Sequence, residues 1–239
     1  MKLWRLLFCV LVSVLAASVC VVGQTETKRN DRPQSNSNTT TVPDSKAVTS
    51  VRYTWEFSQR EFNVNHIVVE HDATGRGKVT FTRKGEEDPI VENVELRPAV
   101  LERIEKFWRE LRFLDSNENY QSSKDFAHLG TYKLGMTELD RTRTAEFNWS
   151  SNASAWDLAQ EYRRVADQVI FVFDMTVARE NQPLNTPGLL KQLESMYNRN
   201  GLSDPKQLVP LLKEIRTDAH IPLIARNHAD RLLKKIDKK

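Results

Sequence analysis

The sequence predicts an α+β fold: an antiparallel sheet of about five to six strands, packed by two helices and followed by a C-terminal helical extension. Residues 51–96 largely alternate between apolar and polar side chains, which is the period of a strand. From Pro98 apolar residues recur at three and four positions, and residues 183–239 show only this helical pattern. We therefore divide this part of the chain into an α+β domain at residues 51–182 and a C-terminal helical segment at residues 183–239.

The first four strands are predicted to form an antiparallel meander. The strand at residues 51–57 places Tyr53, Trp55 and Phe57 on one face, because alternate side chains of a strand point the same way. Gly75 and Gly77 supply a tight reversal between the second and third strands. The remaining strands of the meander are predicted at residues 65–72, 78–83 and 90–96.

A helix is predicted from Pro98, because proline is tolerated at the first helical position, where its missing N–H would have no partner. After it, Phe113 and Leu114 complete the contact with the sheet, and residues 115–125 form a polar loop held by Tyr120. The stripe that faces the sheet consists of Leu101, Ile104, Phe107, Trp108 and Leu111.

Two further strands are predicted at residues 128–136 and 142–149, joined by a turn around residues 139–141. The alternating pattern resumes in both segments after the polar loop. These strands bring the predicted sheet to its full size.

A second helix is predicted to open at residues 152–154, where Ser154 and Asp157 have the spacing of a capping box. The apolar run at residues 169–173 is compatible with a buried strand or with a buried helix. We favour the helix, because the run continues an established helical period and no breaker occurs before Pro183.

The C-terminal segment is predicted to contain three helices. The first covers residues 187–197 and ends at Asn200 and Gly201, a pattern typical of a helix C-terminus. The second is capped by Ser203 and Asp204. Its inward residues are Leu208, Leu211 and Leu212, and those of the last helix, residues 221–236, are Leu223, Ile224, Ala225, Leu232 and Leu233. We favour packing of these helices on the first core, because fewer than about sixty residues rarely fold alone.

Residues 1–23 have the pattern of an export signal, with a short basic head followed by an apolar run that ends in small residues. We favour cleavage near Gly23; an uncleaved N-terminal membrane anchor and lipid attachment at Cys20 are the alternatives. Cys9 and Cys20 both lie within this segment, so a cleaved chain would contain no thiol. The sequence thus predicts a secreted or periplasmic protein, or one anchored in the membrane and facing away from the cytoplasm.

Residues 24–50 are predicted to form a disordered polar linker, because they contain no aromatic residue and only isolated Val and Ala. The 35 basic and 32 acidic residues of the chain give a net charge of +3, which does not indicate a nucleic-acid-binding protein. The excess of basic residues gathers at the end of the last helix, where cations are favourable. Contact with an anionic lipid or polymer is the alternative role for Arg231, Lys234, Lys235, Lys238 and Lys239.

Candidate site residues are few. His66, Glu70 and Asp72 share one face of their strand and are a possible metal site, but a solvated strand face is the favoured interpretation, and His71 points the other way. His220 and His228 are interpreted as a cap and a surface position. We therefore predict no catalytic, cofactor-binding or metal-binding residue, and no cofactor.

Other features of the sequence also favour structural roles. The reversal at Gly75 and Gly77 feeds a strand, whereas a phosphate-binding loop feeds a helix. Asn38, Asn148 and Asn152 match the glycosylation pattern, and Asn152 is better explained by the helix start. The aromatic residues are interpreted as core, with a carbohydrate-binding face as the alternative: Tyr53, Trp55, Phe57, Phe81, Phe107, Trp108, Phe147 and Trp149.

Residues 204–212 and 224–233 together resemble a single HEAT-type helical hairpin, a repeat that implies protein–protein contact. The whole chain also resembles uncharacterised secreted bacterial proteins of α+β type, which implies a compartment and no activity. We therefore expect a non-enzymatic envelope or extracellular protein that contacts another such protein through its C-terminal helices. A glycan-binding or small-molecule-binding module and an exported hydrolase are the alternatives.

Overall fold

The computed structural model of the protein describes residues 51–238. The predicted export signal at residues 1–23 and the predicted linker at residues 24–50 lie outside the described residues. Within the described range the α+β prediction is confirmed, with a six-stranded antiparallel sheet and five α-helices.

The six strands pair in the order β4-β3-β2-β1-β5-β6, and every neighbouring pair is antiparallel. The predicted meander is thus confirmed, and the last two strands extend the sheet beyond β1. The strands are β1 (Val51–Ser58), β2 (Val64–Asp72), β3 (Arg76–Arg83), β4 (Ile90–Glu95), β5 (Thr131–Glu138) and β6 (Arg141–Phe147).

The hairpin between β2 and β3 depends on its glycines. Gly75 has φ +82°, a conformation that residues with a side chain rarely adopt. A Cβ atom on Gly77 would lie 1.8 Å from the carbonyl oxygen of Glu70, so only glycine fits there. The carboxylate of Asp72 accepts the backbone N–H of Thr74 at 2.8 Å and closes the turn.

The first two helices, α1 (Pro98–Leu111) and α2 (Ala153–Asn181), cover one face of the sheet. The run at residues 169–173 belongs to α2, which confirms the helical interpretation. The remaining helices are α3 (Thr186–Asn198), α4 (Val209–Thr217) and α5 (Leu223–Asp237), and short 3₁₀ turns are at Ala127–Leu129, Pro183–Asn185 and Pro205–Leu208.

The apolar residues form two adjoining clusters. The first lies between the sheet and the helices α1 and α2, and Trp55, Phe57 and Phe81 are fully buried there. The second lies among α3, α4, α5 and the C-terminal half of α2, which contributes Phe171 and Met175. Because α2 contributes to both clusters, it joins the sheet to the C-terminal helices.

Polar side chains of α2 also hold the segment between α3 and α4. The buried carboxylate of Glu161 accepts hydrogen bonds from Ser203 Oγ at 2.6 Å and from Arg103 Nη2 at 2.8 Å. Gln168 is buried as well, and it accepts the backbone N–H of Asp204 at 3.1 Å. These contacts connect residues far apart in the sequence across the predicted boundary at residue 182.

Several local predictions are wrong. His128 lies in a 3₁₀ turn, because the pairing of β5 with β1 begins only at Thr131. Asn152, not Ser154, caps α2: its side chain accepts the N–H of Ala155 at 3.0 Å, while Ser154 Oγ donates to Glu110.

Two of the five inward positions predicted for the last helix are also wrong, while Ala225, Leu232 and Leu233 are buried as predicted. Leu223 and Ile224 are 61% and 66% exposed, because they precede the stripe that packs against α3 and α4. The buried stripe of α5 consists of Ala225, His228, Ala229, Leu232, Leu233 and Ile236.

Candidate binding groove

The structure forms a groove beside α2, bounded by α3 on one side and by the ends of β2 and β3 on the other. We call it the α2–α3 groove. Two adjoining cavities of about 440 and 580 Å³ make up its length. Residues 163, 167, 170, 174 and 178 of α2 line it at helical spacing, so the groove follows one helix face. The fifteen steps from residue 163 to residue 178 correspond to a length of about 22 Å.

One half of the groove is charged. Arg163 Nε donates to Asp167 Oδ1 at 2.9 Å, and the Arg163 guanidinium lies 4.4 Å from the centre of the Phe57 ring. Burial raises the pKa of Asp167, while the positive charges of Arg163 and Arg199 oppose this shift. The Asp167 carboxylate is therefore partly desolvated, is bound by Arg163 and lies in the electrostatic field of Arg199.

An ion pair between Arg83 and Asp174 stands where the two cavities meet, and both side chains line both of them. Burial raises the pKa of Asp174, and the Arg83 guanidinium opposes this effect. The pair marks the boundary between the charged half of the groove and the apolar half.

The other half of the groove is apolar and open. Val177 and Leu184 line it and are 39% and 82% exposed, and Leu189 of α3 is half-buried beside them. A Cβ atom added to Gly188 would meet no atom within 4 Å, so this wall borders open space. Exposed apolar side chains gathered in a concave surface are typical of a contact site.

A buried polar chain lies away from the groove, in the first core. Trp108 Nε1 donates to the Tyr162 hydroxyl at 3.0 Å, and the Tyr162 hydroxyl lies 2.7 Å from His71 Nε2. His71 Nδ1 lies 2.7 Å from the carbonyl oxygen of Asp72, which can only accept. The chain therefore fixes a neutral His71 with its proton on Nδ1 and with Nε2 as the acceptor of the Tyr162 O–H.

The residues of the possible metal site have separate partners. His66 Nε2 lies 3.0 Å from Glu56, Lys78 Nζ lies 3.0 Å from Glu70, and Asp72 holds the turn. Hydrogen bonding from Thr74 lowers the pKa of Asp72. Across residues 51–238, no group of three or more His, Cys, Asp or Glu side chains is placed to hold a metal ion.

The two C-terminal histidines differ. His220 is exposed and lies beside Asp218, with its backbone N–H donating to that carboxylate. The surface position predicted for His228 is wrong: it is 6% exposed, and its Nε2 lies 3.0 Å from Glu194. Position 228 lies beside Ala225 and Leu232 on the stripe of α5, which turns the imidazole toward α3.

The eight aromatic residues singled out in the sequence belong to the core, which was the favoured interpretation. Six of them are less than 9% exposed, and Phe107 and Trp149 are half-buried. At the basic end of α5, Lys234 and Lys235 pair with Asp230 and Glu194, and Lys239 lies outside the described residues.

The residues of the groove are not among the candidate site residues predicted from the sequence. Asp167 and Asp174 lie seven positions apart, on either side of the apolar run at residues 169–173, which places two carboxylates on one helix face. That spacing could have identified this face of α2 as a candidate site. The arginines that face them come from β3, α2 and the end of α3, and no local pattern relates them.

Comparison with the models of known protein families finds no match, and comparison with curated proteins finds none either. In the described range, no helix combines the length and the apolar character that crossing a membrane requires.

Proposed function

We propose that this protein is a non-enzymatic exported binding protein whose α2–α3 groove holds an extended segment of a partner protein. The segment carries an acidic group for the charged half of the groove and an apolar side chain for the other half. The observation that carries this proposal is the continuity of the two halves along one face of α2.

The dimensions of the groove suit an extended peptide. A length of about 22 Å corresponds to about six or seven residues at about 3.3 Å per residue. The exposed side chains of Val177 and Leu184 would be covered by such a segment. Burying apolar surface on both partners is the main source of affinity in contacts of this kind.

The charges of the groove support an acidic ligand. Its lining contains Arg83, Arg163 and Arg199 against Asp167 and Asp174, so positive charge is in excess by one. An arginine guanidinium binds a carboxylate through two parallel hydrogen bonds, which gives both attraction and orientation.

The same residues give little support to hydrolysis. The groove is lined by no histidine, serine, cysteine, lysine or tyrosine within residues 51–238. Asp167 and Asp174 are two helical turns apart, about 10.5 Å along α2, whereas carboxylate pairs that cleave glycosides lie about 5–9.5 Å apart. Binding is therefore the function that this geometry supports best.

The test is selection of peptides of about seven residues from a random display library on the full chain, followed by affinity measurement on variants. We expect selected peptides to combine an acidic residue with apolar residues. Gly188→Trp should abolish binding, because it places a large side chain in the apolar half, and Arg199→Glu should weaken it about tenfold or more.

Gly188→Ala is the matched control, because it changes the same position but adds only a methyl group to open space. It should leave peptide affinity unchanged. Selected peptides that bind the Gly188→Trp and Arg199→Glu variants as well as the original chain would refute the groove as the binding surface, as would failure to select any peptide.

A further inference from the structure

A second cleft, the β1–α1 cleft, lies at the end of the sheet where β1 begins and β5 ends, next to the C-terminal end of α1. It encloses about 400 Å³. Its walls include Tyr53 of β1, Arg112 after α1 and Glu138 of β5. This volume is at the lower end of the range of about 300–1,000 Å³ for small-ligand sites.

Four of the charged side chains that line the cleft are already paired. Arg109 Nη1 lies 3.5 Å from Glu105 Oε2 on α1. Arg141 Nη2 donates to Asp115 Oδ1 and, at 2.9 Å, to the carbonyl oxygen of Leu114. These contacts fix the walls of the cleft. Within each pair, the positive charge of the arginine cancels the negative charge of the carboxylate.

Two charges in the cleft remain unpaired. Arg112 and Glu138 line the same cavity, and neither side chain forms a hydrogen bond or a salt bridge with another residue of the described chain. Arg112 is exposed and Glu138 is half-buried. The cleft therefore presents one free cation and one free carboxylate to its contents.

Tyr53 supplies a hydrogen-bond donor between the walls. Its ring stacks on His71 with the ring centres 5.0 Å apart, and it contacts Trp108, so it is held in place. Burial raises the pKa of the Tyr53 hydroxyl, and the Glu105 and Glu138 carboxylates raise it further. The hydroxyl thus keeps its proton at neutral pH, and it has no hydrogen-bond partner among residues 51–238.

The backbone of Arg112 is strained. It caps α1 with φ 42° and ψ 49°, the left-handed conformation that glycine adopts without cost at helix ends. A residue with a side chain is disfavoured there. A long cationic residue at a position that favours glycine, on the wall of a cavity, indicates that the side chain itself is used.

We propose that the β1–α1 cleft binds a small zwitterion, a free amino acid or a short peptide, whose carboxylate contacts Arg112 and Tyr53 and whose ammonium group contacts Glu138. Each free charge of the cleft then has an opposite charge on the ligand. This site is separate from the α2–α3 groove and involves none of its residues.

The test is isothermal titration calorimetry of the full chain with the standard L-amino acids and with L-alanyl dipeptides. We expect at least one of them to bind with a dissociation constant below about 1 mM. The two groups of probes distinguish a free amino acid from a peptide as the ligand. For any zwitterion that binds, the analogues that lack its amino group or its carboxyl group should bind about tenfold more weakly or worse.

The Arg112→Gly and Glu138→Gln variants should each weaken binding about tenfold or more. Arg112→Gly should not lower the thermal midpoint of unfolding, because glycine suits the backbone at this position. Asn200→Gly is the control for introducing glycine at a position of positive φ, since Asn200 has a φ of 55° and lies in the loop after α3. It should leave ligand affinity unchanged.

Three results would overturn the proposal: no probe binding more tightly than about 1 mM, analogues binding as well as the zwitterion, or affinities unchanged in both cleft variants.

Discussion

At the scale of single residues, His71 shows how burial determines a protonation state. The side chain is 3% exposed and lies between the Tyr162 hydroxyl and the carbonyl oxygen of Asp72. Burial lowers its pKa, and the hydrogen bond to the Asp72 carbonyl opposes this shift. A second proton would remove the acceptor that Tyr162 requires and would place a charge in the core.

The unfolding free energy should therefore fall as the pH falls below about 6.5, the ordinary pKa of histidine in the unfolded chain. In this window the unfolded state binds the proton more tightly than the folded state, so acid favours unfolding. A single group contributes at most about 1.4 kcal/mol per pH unit.

The measurement is urea unfolding at about pH 7.5 and about pH 5. In His71→Asn the amide N–H can still donate to the Asp72 carbonyl, but the side chain does not titrate. This variant should lose the contribution of His71 to the pH dependence of the unfolding free energy. An equal pH dependence in the original chain and in the variant would contradict the assignment of a neutral His71.

Glu161 is the second residue with a role that depends on distant partners. Burial raises the pKa of this carboxyl, but the hydrogen bonds from Ser203, Arg103 and Arg164 outweigh burial and leave the pKa below its ordinary value. Glu161→Ala should lower the unfolding free energy by about 3 kcal/mol, because it removes the shared acceptor from a buried contact.

Glu102→Ala on the exposed side of α1 is the matched control, and its effect should stay within about 0.5 kcal/mol. Both values are obtained from chemical denaturation. A loss at Glu161 no larger than that at Glu102 would show that the contact adds nothing to stability.

At the scale of elements, the start of α2 depends on Asn152. Its side-chain oxygen accepts the N–H of Ala155, and its amide donates to Glu118 at 3.0 Å. Asn152→Ala should lower the unfolding free energy by about 1 kcal/mol, the usual effect of losing a helix cap.

Ser154→Ala is the informative comparison, because Ser154 was the cap predicted from the sequence. Its hydroxyl contacts only the exposed Glu110, so Ser154→Ala should lower the unfolding free energy less than Asn152→Ala does. Denaturation of the two variants side by side decides which residue caps the helix, and a larger loss at Ser154 would contradict the structure.

At the scale of the whole molecule, α2 makes the sheet and the C-terminal helices interdependent. It contributes Leu158 and Tyr162 to the first cluster and Phe171 and Met175 to the second. The predicted division at residue 182 remains a prediction, and a chain that ended there would leave Phe171 and Met175 without their partners.

The four tryptophans of the described chain, at positions 55, 108, 149 and 156, all lie before α3. Tryptophan fluorescence therefore reports on the first cluster, while Leu212 is fully buried in the second. Leu212→Ala should lower the unfolding free energy by about 2–5 kcal/mol. We expect this loss to shift the fluorescence transition as much as the circular dichroism transition.

An unchanged fluorescence transition in Leu212→Ala would show that the C-terminal helices unfold as an independent unit. It would then support the predicted boundary at residue 182 as a true domain boundary.

The sequence was most informative where only near neighbours matter. The alternation at Tyr53, Trp55 and Phe57 identified the buried face of β1, and the helical period across residues 169–173 identified the second half of α2. It was least informative where the partner of a side chain lies far away in the sequence. At Ser154 and His228 the decisive partner lies in another element, so spacing along the chain did not indicate it.

The sequence by itself determined the order of the strands and helices along the chain and the buried side of β1, because these follow from a period of two or of three to four residues. Only the tertiary structure decided which charges are paired and which are free. Arg199 faces Asp167 across the groove, and Arg112 and Glu138 share a cleft, because packing brings together residues about 30 positions apart. Both candidate binding sites belong to this second class, since each is assembled from several elements.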